Sequence, residues 1–204
     1  MHKAYLLSLL VCLSLNSYSQ KLYVWCPKTQ EIKPRSGFLA KDTIDLVIFD
    51  GRVLTKNSRI ECSSADVMAA IASNIQKAYP AALLQIQGDS AYYRDPVPGR
   101  ITLKLGVSAF HAGFGVDISV GIGSIGGSFS YGIIPKGKWN AITAYYLRLY
   151  DYRNGKTEKL TTSISKIASR PKMWGYWSAK ECLNETYMEA NQDLLFFIDG
   201  GLMN

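Results

Sequence analysis

The sequence predicts an α+β fold: an antiparallel-rich β-sheet with two main helices packed on one face. Two stretches carry apolar residues at helical spacing, and several others are rich in β-branched and aromatic residues. Their order is strand, helix, strand, then several strands, then a helix. No repeat, low-complexity tract or interdomain linker interrupts the chain, so residues 44–204 read as a single α+β domain. That length suffices for a real core without disulfide staples.

The chain opens with MHKAYLLSLLVCLSLNSYSQ, and residues 1–19 read as a cleavable signal peptide. Lys3 supplies the basic start, Tyr5 to Leu15 an almost unbroken apolar run, and Ser17 and Ser19 the small residues before the cut. The run is shorter than the roughly 20 residues of a membrane-spanning helix. Val11 stands before Cys12 where a lipidation site has a small residue, so no lipid anchor is expected. Removing Lys3 with the leader lowers the formal charge of +7 by one. The remaining charges are scattered, which suits a periplasmic or secreted protein near an anionic envelope surface and not a nucleic-acid partner.

Residues 20–43 are less regular and are expected to form an arm. Asp45 to Leu54 (DLVIFDGRVL) reads as a strand. In SSADVMAAIASNIQKAYP, Ser63 or Ser64 caps a helix and Asp66 complements the positive end of its dipole. Val67, Ile71, Ile75 and Tyr79 form its apolar face, and Pro80 stops it. AALLQIQ is a strand, AYYRDPVPG a loop, and Arg100 to Phe110 (RITLKLGVSAF) an alternating strand. KWNAITAYYLRLYDY and KTEKLTTSISKIA flank Asn154-Gly155, a type I′ hairpin signal. Tyr145, Tyr146, Tyr150 and Tyr152 occupy both faces of the first, so that strand is expected to be covered on both sides. Ser178 to Ile198 is a helix whose stripe is Leu183, Tyr187, Ala190, Leu194 and Phe197, with Ser178 as its cap and Gly200 and Gly201 closing it. Glu181, Glu185 and Glu189 mark its wet face.

Gly121, Gly123 and Gly126 spell G-x-G-x-x-G, but a dinucleotide site needs a helix after the glycines. GSFSYGIIPKG has glycines, a proline and β-formers there, so no cofactor is expected. Val116, Ile118, Val120 and Ile122 alternate with polar or small residues, as do Phe129 and Tyr131. The favoured reading is an interaction hairpin that packs on, or extends, the sheet. The alternative is insertion of 116–133 as part of an oligomeric pore or secretion channel. Its arms are short of the roughly 9–11 residues of a transmembrane strand.

Chemistry has few carriers. His111 is the one histidine after the leader, and a hydrolase would have to use it with Cys26, Cys62, Cys182, Ser128 or Ser130. No G-x-S-x-G or H-E-x-x-H surrounds it, and no Cys/His cluster suggests a metal. The carboxylates Asp45, Asp50, Asp89 and Asp95 form no pair that spacing alone can assign. The odd count of Cys26, Cys62 and Cys182 allows one disulfide, and Cys26 with Cys62 is the preferred pair because both lie in the N-terminal part. In RPKMWGYWSAKE, Trp174, Tyr176 and Trp177 with Arg170 and Lys172 are either an aromatic plug at the start of the last helix or a binding patch for a glycan, peptide or lipid headgroup.

VIFDGRVL, with Asp50 and Arg52 ending a strand, then ITLKLGVSAF, WNAITAYYLRLYD, Asn-Gly and a long terminal helix resemble the YajG-type envelope lipoproteins and the periplasmic domain of CsgG-like secretion-channel proteins. The resemblance covers Asp45 to Ile198. It implies an α+β envelope domain that binds or assembles and carries over no catalytic residue. The expectation is therefore an exported, non-catalytic envelope protein that binds another envelope protein or itself through a sheet edge or the aromatic patch, with peripheral membrane contact as an accessory.

Overall fold

The computed structural model describes residues 21–35, 37, 39–54, 56–115, 119–122, 127–130, 137–155 and 158–202. The signal peptide expected at 1–19 lies outside them. In chain order the elements are β1 (Leu22–Val24), β2 (Thr43–Asp50), β3 (Arg59–Ile60), α1 (Ser64–Ala78), β4 (Leu83–Gln87), β5 (Ile101–Phe114), β6 (Ser119–Ile122), β7 (Gly127–Ser130), β8 (Lys138–Asp151), β9 (Glu158–Pro171) and α2 (Tyr176–Leu202). The architecture is α+β, as predicted: a mixed seven-stranded sheet with both helices on one face.

β5 is the centre of the sheet. One edge pairs antiparallel with β8 from Ile101↔Asp151 to Phe114↔Trp139. The other edge is shared, with β2 parallel to its first half and β1 antiparallel near its end. β4 extends the sheet beyond β2, β3 extends it beyond β1, and β9 pairs with β8 from Lys138↔Pro171 to Asp151↔Glu158. The arm expected over 20–43 thus contributes a strand, and Tyr23, Val24, Trp25 and Leu39 join the main core.

Local chemistry explains most boundaries. The side chain of Ser63 accepts from Asp66 N while Asp66 Oδ2 accepts from Ser63 N, each at 3.1 Å, a complete capping box for α1. β2 ends at Asp50, earlier than the expected Leu54, because Arg52 N and Nε both donate to Asp50 Oδ1 and Nη2 donates to Oδ2 at 2.8 Å, turning the chain. Asp151 and Arg153 build the same fork at the end of β8, with Arg153 Nη1 reaching Asp42 at 2.7 Å. The Asn-Gly connection is therefore not a two-residue hairpin. Asp151 pairs with Glu158, and a 3₁₀ turn over Arg153–Gly155 occupies the connection. The expected loop AYYRDPVPG likewise begins with a 3₁₀ turn, Asp89–Tyr93.

A bulge between Val107 and Ala109 reverses the facing of β5. Leu103, Leu105 and Val107 face the helices before it, and Phe110 and Ala112 after it. Ala109 joins Val47, Tyr92, Ile142 and Ala144 in a second cluster on the back of the sheet. Ser108, the extra residue, donates its hydroxyl to Ala144 O at 3.0 Å. Tyr145 faces the helices and Tyr146 the back cluster, so β8 is covered on both sides as expected.

α2 starts at Tyr176, two residues before the expected cap. Gly175 takes φ +54°, which joins the preceding 3₁₀ turn directly to the helix and leaves Ser178 buried in its first turn. Leu183, Tyr187, Ala190 and Leu194 are buried, with Phe197 partly so. Fully burying side chains of the Leu class stabilises by about 1.5–3 kcal/mol each. Gly200 and Gly201 do not end the helix. Gly201 faces the sheet, and a Cβ there would lie 2.5 Å from Leu149 Cδ2 and 2.8 Å from Leu160 Cδ1.

Cys26 and Cys62 form a disulfide, the preferred pair, with Cα atoms 4.8 Å apart. It closes a 36-residue separation, and Cys62→Ala should lower the unfolding free energy by roughly 2–4 kcal/mol. Urea titrations with and without reductant check this: reductant destabilises the parent and leaves the variant unchanged. Gly201→Val should destabilise by about 1–3 kcal/mol through overpacking. Gly200→Ala, with no heavy atom within 4 Å of the added Cβ, should raise stability by up to about 1 kcal/mol in the same titration.

Candidate functional site

β5, β8 and β9 end together at Phe114, Lys138 and Pro171, and the next six residues cap this end. Met173 is 77 % exposed, Trp174 68 %, Trp177 56 % and Tyr176 48 %. Tyr176 is the part that behaves as a plug. Its ring lies 5.2 Å from Tyr23 and 5.7 Å from Trp139, with Trp25 stacked 5.4 Å from Tyr23. Trp174 and Trp177 are instead exposed at the surface.

The predicted cations divide as well. Arg170 pairs with Glu185 at 2.9 Å. Lys172 sits 4.8 Å over the Phe114 ring. Lys180 lies 5.4 Å over Trp25 and 4.0 Å from Glu61. Of the acids here, Glu61 is taken by Arg59 at 2.8 Å and Glu181 by Lys28 at 2.5 Å. Sequence reasoning passed over Met173, Phe114, Lys138 and Lys180. Tyr23 and Trp25 were also missed, although their i, i+2 spacing in KLYVWC is a sign of two rings on one strand face.

The interaction hairpin leaves from the same end, where Gly115 N donates to Lys138 O. β6 and β7 pair antiparallel, with Val120↔Phe129 and Ile122↔Gly127. Each strand has four residues, and the G-x-G-x-x-G glycines begin in a strand that pairs with another strand, where a dinucleotide loop would lead into a helix. Val116, Ile118 and Tyr131 lie outside the described residues, as do the side chains of Ser128 and Ser130.

The chemistry-bearing residues are locked away. The bulge places His111 on the back of the sheet, opposite Ile142. Its Nδ1 has no hydrogen-bond partner. Burial, with a smaller contribution from Arg52, lowers its pKa from 6.5 to about 4. Cys182 is buried under α2 and its thiol is pushed up to about 11, mainly by burial. Both remaining sulfurs are in the disulfide, so although Cys26, Cys62 and Asp66 lie within 4.8 Å of one another, no thiolate is left there to ligate a metal. Burial opposes ionisation of Asp50, but the bonds from Arg52 and Ser64 outweigh it and hold its carboxyl below the usual range. Its role is therefore the strand-ending fork.

Larger concavities exist. A groove of about 680 Å³ separates residues 28–35 from α2, lined by Met188, Leu195 and Phe196 among others. No helix among the described residues is long and apolar enough to cross a membrane.

No family model matches the sequence, and no curated protein does. Solved structures are similar in chain path. The hypothetical protein CT253 from Chlamydia trachomatis has a TM-score of 0.48 at 10 % identity, over 81 % of this chain and 100 % of that one. XCC0632 from Xanthomonas campestris, of the DUF330 family, has 0.46 at 8 % identity, over 84 % and 91 %. PelC from Paraburkholderia phytofirmans, a dodecamer, has 0.34 at 16 % identity, over 83 % and 96 %.

His111 gives a pH signature. In the unfolded chain it binds a proton near pH 6.5, in the folded chain only near 4, so the unfolded state holds more protons between these values. Its contribution is complete above pH 6.5 and is lost as pH falls toward 4. The loss is on the order of 3 kcal/mol. Urea titrations across this range should show a shallower acid loss in His111→Gln than in the parent.

Proposed function

We propose that this is an exported, non-catalytic envelope protein that acts by binding or assembly, through the aromatic end of the sheet and the outer edge of β9. The exposure of Trp174 and Trp177, three residues apart at this end of the sheet, carries the reading. Two large rings left in water at the end of an otherwise well-filled core mark a surface that is covered when another molecule docks. β9 adds a 14-residue strand whose outer edge pairs with no other strand among the described residues, and Leu160 and Ile167 are exposed along it. Unprotected edges of this kind invite strand addition by a partner or a second copy. The buried, depressed His111 and the buried Cys182 favour binding over hydrolysis. The Asp50–Arg52 strand end is consistent with the YajG-type and CsgG-like resemblance, which points the same way.

Site-specific photocrosslinking in native cells tests this. A photoreactive residue replacing Ser163 on β9 or Trp174 at the aromatic end should give a defined adduct, while one replacing the exposed Val53 should not. Identical diffuse labelling from all three positions would sink the binding role.

A further inference from the structure

We infer that the aromatic end is a peripheral docking surface for an anionic lipid bilayer, leaving the β9 edge for protein contacts. This rests on the binding role proposed above and names what the aromatic end binds.

The residue types fit that occupant. Met173, Trp174 and Trp177 expose apolar bodies within five consecutive positions, and the indole N–H gives the two tryptophans a polar tip. Trp and Tyr partition to the boundary between headgroups and acyl chains for that reason. The charge at this end completes the match. Glu61, Glu181 and Glu185 are each held by a cation, Arg59, Lys28 and Arg170. Among the described residues no carboxylate pairs with Lys138 or Lys172, and both are exposed. The uncompensated sign at this end of the sheet is thus positive, which attracts anionic headgroups. Lys172 holds its ammonium group 4.8 Å over the Phe114 ring, so one cation of this end is already seated against an aromatic face.

The support for these groups is rigid. Tyr176 is wedged among Tyr23, Trp25 and Trp139, and α2 is anchored over its length by the main core. Docking therefore requires no unfolding.

The test uses the processed chain, residues 20–204, with vesicles of phosphatidylglycerol and phosphatidylcholine or of phosphatidylcholine alone, read by flotation and by quenching of tryptophan emission with brominated acyl chains. The parent should float with the anionic vesicles and be quenched by them. Trp174→Ser combined with Trp177→Ser should lower partitioning by about tenfold or more. Lys138→Gln combined with Lys172→Gln should remove the preference for anionic vesicles. Phe196→Ser, at the exposed ring of the groove along α2, should change neither. Circular dichroism confirms that each variant is folded. A parent that floats with neither vesicle, or a double tryptophan variant that floats like the parent, overturns the lipid assignment. Continued crosslinking from Ser163 in that event leaves the binding role standing, and loss of both removes both.

Discussion

The antiparallel pairing of β5 with β8, kept through thirteen residue pairs, governs what packs around it. Strands this long project side chains to both faces over a greater length than one layer of helix covers. The helices take one face, and the turn around Tyr92 with the residues after it takes part of the other. There, Lys104 is buried with Asp95 in the same hollow, its Nζ donating to the carbonyls of Tyr92 and Arg94. Burial lowers its pKa, and the two carbonyls are what make the position tolerable. The bulge at Ser108 keeps the arrangement in register. Without it, the residues after Val107 would present the wrong face to α2.

Polar anchors fasten the edges of this ladder. The forks Asp50–Arg52 and Asp151–Arg153 end two strands in the same way, each accepting a backbone N–H and two guanidinium bonds on one carboxylate. Such bidentate, charge-assisted bonds are directional, so they fix where the chain leaves the sheet. The N-terminal segment is fastened at three points. The disulfide holds Cys26, Lys28 reaches Glu181 and Asn184 on α2, and Arg35 reaches Asp199 at 2.6 Å. Asp199 also accepts from Tyr79, joining α1, α2 and the arm at one carboxylate.

Burying His111 and Cys182, and tying Cys26 to the buried Cys62, uses the reactive side chains as structure. The same packing leaves the aromatic end uncovered, because the α2 stripe starts at Ala179 and the rings before it have only Tyr176 facing inward.

Much of this was legible in the residues themselves. The apolar steps of Val67, Ile71 and Ile75, and of Leu183, Tyr187, Ala190 and Leu194, fixed two helices and their inward faces, since periodicity reports which side must leave water. The fold class, the order of elements and the presence of RPKMWGYWSAKE as an aromatic segment followed from the same local information. Decisions that depend on distant partners did not. Strict alternation through ITLKLGVSAFHAGF puts His111 on the helix side, and only the pairing with β8 introduces the bulge that sends it to the back. Gly201 looked like a helix stop until Leu149 and Leu160 showed that it is a close contact. Which rings of the aromatic segment are plug and which are surface was settled by Tyr23, Trp25 and Trp139, brought to it from far away in the chain. Local periodicity fixes which residues must be buried, and only the packed neighbours decide against what, and which are left over.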